Sequence, residues 1–152
     1  MKTVIDDNVT EVLNDLLRIN NDRVEGYKKA GQETKEQDLI SLFGKMQAES
    51  DRIANSLIKE IANVGGEPDA GGTTNPGKIY RVWMELKATF NGKDRKGVLS
   101  ACEFGEDAAQ NAYRTALADK ELPETLRAII RAQQVQLKVS HDAIKRLRDM
   151  AA

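Results

Sequence analysis

Glu106 lies in the run Cys102-Glu-Phe-Gly-Glu-Asp107. A rotation of about 100° per residue places it on one helical stripe with Val98, Cys102, Ala109, Ala112, Tyr113, Ala116 and Leu117. A carboxylate on an apolar stripe needs a reason, because an isolated buried charge is too costly to persist. It can be a metal ligand, an acid or base, or half of an ion pair. The same rotation turns other polar side chains inward at a similar depth: Asn20 and Arg23, then Ser50, then Gln133 and Ser140, with His141 nearer an edge. Arg23 is the natural partner for Glu106, and Gly105 leaves room beside it. These residues predict a buried polar layer in which amides and hydroxyls hydrogen-bond an Arg–Glu pair. Such a layer fixes helix register more than it adds stability.

Other chemistry finds less support. Cys102 sits on the apolar stripe and reads as a small buried hydrophobe rather than a reactive thiol. The glycine-rich stretch at 65–72 follows a helical pattern instead of a strand, so it lacks the setting of a phosphate cradle. No local arrangement of nucleophile, base and oxyanion donors is evident, and a non-enzymatic role is favoured.

The elements that must carry these residues read as helices. Val9, Val12, Leu13, Leu16, Leu17, Val24 and Tyr27 define a first helix from about Asp7 to Ala30, capped by Asp6 or Asp7 and ended by Gly31. Thr34-Lys-Glu-Gln37 has the form of a capping box for a second helix, which Gly65-Gly66 would stop. Residues 65–77 read as an exposed flexible loop, and Asn75-Pro76 opens a short helix through Ile79, Val82, Trp83, Leu86 and Phe90. Asp94 caps a third long helix, and Leu122-Pro123 opens a fourth that runs to about Asp149. Short turns make helices one and two, and three and four, antiparallel neighbours. The long middle connection can return along the bundle, which leaves helices two and three parallel.

One domain over residues 1–152 accounts for the length. Although 31% of residues are charged, 23 Lys and Arg face 24 Asp and Glu, which builds no field for nucleic acid or an anionic membrane. Aromatic residues make up 5%, too few for a stacking surface. The acidic start and the lack of a long apolar run lead to the expectation of a cytoplasmic protein without a membrane span.

The chain resembles an uncharacterised bacterial four-helix-bundle family of the ferritin-like superfamily. The residues carrying the likeness are Leu13-Asn-Asp-Leu-Leu17, Glu25-Gly-Tyr27, Cys102-Glu-Phe-Gly-Glu-Asp107 with Tyr113, Leu122-Pro123, and His141-Asp-Ala-Ile-Lys-Arg-Leu-Arg-Asp149. The resemblance implies an all-α, ferritin-like bundle with one long crossover containing a short fifth helix. Many such relatives hold two metal ions with inward carboxylates and Glu-x-x-His on two helices. This chain has one histidine; Glu49-Ser-Asp-Arg52 carries a cation at the ligand position, and Lys138 stands three residues before His141. The expected reading is therefore a degenerate metal site, replaced by the polar layer, in a structural or interaction protein without cofactor. Self-association or an unknown partner would use the Trp83 helix. The alternative is one divalent ion bound by Glu106 and His141, with Glu103 or Glu49 as further ligands.

Overall fold

The computed structural model describes residues 7–74 and 95–151. All regular structure among them is helical: α1 (Asp7–Glu33), α2 (Gln37–Asn63), α3 (Arg95–Leu117) and α4 (Glu124–Met150). The short helix expected around Trp83 and the caps expected at Asp6 and Asp94 lie outside the described residues.

Each helix buries one stripe. Around the bundle α1 packs on α2 and α3, α3 packs on α4, and α2 touches α4 over a short length, while the diagonal pairs keep their backbones apart and α3 reaches α2 through the Arg95–Asp38 ion pair at 2.9 Å. Side-chain pairs fix the directions. Tyr27 and Asn20 of α1 meet Glu106 and Tyr113 of α3, and Asn8 reaches Asp119 just beyond it, so these helices are antiparallel. Tyr113, Asp107 and Glu103 of α3 meet Gln133, His141 and Arg148 of α4 in the same sense. With α1 and α2 joined by a tight turn, α2 and α3 run parallel, so the end of α2 and the start of α3 lie at opposite ends of the bundle.

The ends of α1 and α2 correct two expectations. α1 continues through Gly31 to Glu33, because Thr34 still donates its N–H to Ala30 O at 3.1 Å. No capping box forms: Glu36 is the N-cap of α2 without a side-chain cap bond, and Thr34 Oγ1 accepts the Glu36 N–H at 3.2 Å. The Thr hydroxyl thus closes the turn between helices instead of capping the second one. At the other end of α2 the two glycines act as read. Gly65 has φ 82°, the Gly66 N–H reaches Ile61 O and the Gly65 N–H reaches Ala62 O, the paired bonds of a Schellman stop.

Residues 65–74, expected as a flexible loop, are tied along α1. Asn14 donates to Glu67 O and accepts from the Asp69 N–H. Arg18 holds the Asp69 carboxylate at 2.9 Å, and Asn21 donates to Ala70 O and Gly72 O. Asp22 then takes the Thr74 hydroxyl. Polar residues that look like a solvated helix face therefore zip down the start of the crossover.

The apolar core is in two parts. Leu13, Leu16, Leu17, Leu57, Ile61, Ala109, Ile130 and Leu137 belong to one, and Tyr27, Leu39, Phe43, Met46, Val98, Leu99, Cys102 and Ile144 to the other. Asn20, Arg23, Ser50 and Glu106 are fully buried polar residues that stand between them in sequence on α1, α2 and α3.

Candidate functional site

Arg23 organises the centre of the bundle. Its side chain is 1% exposed, and one terminal nitrogen lies 2.6 Å from Glu106 Oε2, whose side chain is wholly buried. Tyr27 donates its hydroxyl to the same Glu106 oxygen. The other terminal nitrogen of Arg23 donates to Ser50 Oγ and lies 3.6 Å from Glu49 Oε1. Burial alone would lower the arginine's affinity for its proton, but Glu106, Tyr27 and Glu49 outweigh it and hold the guanidinium charged.

A directed chain of hydrogen bonds leaves Arg23. A guanidinium can only donate, so Ser50 must turn its own hydrogen onward, and it does so to Asn20 Oδ1 at 2.9 Å. Asn20 spends its amide hydrogens on Leu16 O at 2.9 Å and on the Tyr113 hydroxyl at 3.0 Å. Tyr113 then donates to Gln133 Oε1 at 2.7 Å. On the opposite side Ser140 donates to Glu49 Oε1 at 2.8 Å. All four helices contribute, and every hydrogen in the relay has a fixed direction.

The layer brings together Asn20, Arg23, Ser50, Glu106, Gln133 and Ser140 in one connected network through Tyr27, Tyr113 and Glu49. The two tyrosines were read as apolar stripe residues. Their signal was available, since a buried Tyr hydroxyl nearly always needs a partner. Burial pushes both phenols well above the ordinary tyrosine value, with Glu106 adding to the effect at Tyr27. Two polar atoms at the centre, Arg23 Nε and Glu106 Oε1, have no protein partner among the described residues.

His141 belongs to a separate cluster. Its Nε2 lies 2.6 Å from Asp107 Oδ1 and its Nδ1 lies 3.0 Å from Asp142 Oδ1. Burial lowers the imidazole's proton affinity, but the hydrogen bonds to Asp142 and Asp107 outweigh it and the net shift is upward. Glu103 is beside them, held by Arg148 at 2.8 Å. One ligand atom each from Glu103, Asp107 and His141 lies within 4.8 Å of the others. Glu106 is not in that group, being turned to Arg23 and Tyr27, and Glu49 faces Ser140 and Arg23. Glu106 and His141 thus belong to separate clusters. Asp107, which sequence spacing left unnoticed, is a carboxylate that stands beside His141 instead.

The architecture and its centre define an all-α four-helix protein with a charged, hydrogen-bonded layer across its middle. The chain belongs to the family described as a domain of unknown function (DUF2383), whose sequence profile matches residues 8–119, from the start of α1 to just past α3. No curated protein matches the chain. No helix among the described residues is long and apolar enough to cross a membrane.

Proposed function

We propose that this chain is a ferritin-like bundle of a bacterial cytoplasm that works as a structural or interaction module, with the polar layer standing where relatives keep a pair of metal ions. The parallel course of α2 and α3 and the long crossover support the ferritin-like assignment. The observation that carries the functional reading is the Arg23 guanidinium, 1% exposed and 2.6 Å from Glu106. The donors at the centre do not fit two bridged cations. Arg23 and Tyr27 both hold Glu106 Oε2, the guanidinium sets a buried positive charge against the carboxylate, and neither Ser50 nor Ser140 offers a carboxylate.

Elemental analysis of tag-free protein after expression with added iron and manganese tests this reading. The expected result is no pair of ions per chain. Two ions per chain, lost together in Glu106→Gln, would overturn it. The interaction role rests on the apolar spacing of Ile79, Val82, Trp83, Leu86 and Phe90. Sedimentation is expected to show self-association that Trp83→Ala weakens, and a monomer unaffected by Trp83→Ala would remove that role. The near balance of charge supports a partner other than nucleic acid.

A further inference from the structure

We propose that Glu103, Asp107 and His141 form a mononuclear binding site for a divalent transition metal ion on the α3–α4 face, apart from the central layer. Glu103 and Asp107 are one helical turn apart on α3, so their side chains leave the same face. His141 reaches them from the antiparallel α4. With one donor atom from each within 4.8 Å of the others, small side-chain rotations bring all three onto one ion. Two carboxylates and an imidazole suit zinc, cobalt or nickel better than calcium or magnesium, which prefer oxygen alone.

Three further features point the same way. Asp142 holds His141 Nδ1 at 3.0 Å, which directs Nε2 at Asp107 and Glu103, the carboxylate–histidine arrangement that orients metal-binding imidazoles. Gln110 is 5% exposed and its amide nitrogen has no protein partner among the described residues, yet the residue lines the same hollow as Asp107 and His141. Turned towards the hollow, its N–H would meet the outer oxygen of a ligating carboxylate or a metal-bound water. The hollow itself measures about 310 Å³, leaving open positions for water on the ion. Arg148 on Glu103 Oε1 remains compatible, because that carboxylate has a second oxygen, and Asp142 keeps its bond to His141 Nδ1 while Lys138 touches both of its oxygens. Binding sends the proton shared by His141 Nε2 and Asp107 to solvent, and the ion replaces it.

The test is calorimetric titration of the tag-free full chain with zinc chloride, repeated with cobalt chloride for its visible absorption. The expected result is one ion per chain, with affinity reduced at least about tenfold in His141→Ala and Asp107→Asn. Asp142→Asn is expected to weaken binding without abolishing it, and Glu49→Gln to leave it unchanged. Melting of each variant without metal establishes that the fold is kept. Absence of binding at millimolar zinc, or affinity unchanged within about twofold in a folded His141→Ala, overturns the proposal. Two ions lost in Glu106→Gln would instead overturn the reading of the central layer.

Discussion

Tyr113 stands between Asn20 and Gln133, accepting from the first at 3.0 Å and donating to the second at 2.7 Å. One phenol hydroxyl thus joins α1 to α4, two helices whose backbones do not approach each other closely among the described residues. Tyr113→Phe removes the joint and strands an Asn20 hydrogen in a site where Asn20 is 0% exposed. The expected loss is about 1–3 kcal/mol by urea unfolding, the cost of an unmet buried donor. Unchanged stability would show that the relay contributes nothing.

The tyrosines also set behaviour in alkali. Burial raises the folded-state values of Tyr27 and Tyr113 above the ordinary phenol value near 10. The folded chain therefore keeps protons that the unfolded chain gives up. Their contribution is complete below about pH 10 and is lost as pH rises towards the folded values, at about 1.4 kcal/mol per pH unit per tyrosine. Of the three tyrosines in the chain, two are expected to show no phenolate absorbance until the bundle unfolds. Titration of all three near pH 10 in a still folded protein would contradict the buried layer.

Asp22 gives a test at the other end of the scale. It is fully buried, burial raises its proton affinity against the opposing effect of the Thr74 hydrogen bonds, and its Oδ1 has no protein partner among the described residues. A raised folded value means that the protonated form suits the fold, so stability from this group is present at low pH and lost as the carboxylate ionises. Asp22→Asn is expected to stabilise by on the order of 0.5–1 kcal/mol at neutral pH, with the gain shrinking towards pH 3–4. Thermal melts across that range measure it. A loss at neutral pH would show that the charge itself is needed to hold the crossover.

Two glycines should respond in opposite directions. A Cβ at Gly44 would meet nothing within 4 Å, and the residue lies inside α2. Gly44→Ala is expected to stabilise by about 0.5–1 kcal/mol. Gly65, with φ 82°, ends the same helix in the left-handed region, and Gly65→Ala is expected to cost about 1–2 kcal/mol. Denaturant midpoints of the two variants give both signs in one experiment.

Helical phase made most of this structure readable from residues alone. A fixed rotation per residue tells which side Asn20, Arg23, Ser50 and Glu106 face, and the connection lengths tell which helices are antiparallel. Phase does not tell which residue of one helix stands level with which residue of another. The partners of Tyr27, Tyr113 and Asp107 depend on that register, so the tyrosines read as apolar and Asp107 carries no signal of its own. The same gap hid the crossover's attachment: Asn14, Arg18 and Asn21 meet backbone and side-chain groups some 50 residues away. The end of α1 was misplaced for a local reason. Gly31 is compatible with helix, and the Thr34 N–H to Ala30 O bond continued the pattern beyond it.

The central claim is that the middle of the bundle is held by a matched buried charge pair, and a double-mutant cycle on Arg23 and Glu106 tests it most directly. Arg23→Met alone leaves a carboxylate buried without its cation and is expected to cost about 3–5 kcal/mol in urea unfolding. Arg23→Met combined with Glu106→Leu removes both charges and is expected to recover a large part of that loss. A double variant as unstable as the sum of the two single ones would contradict the account.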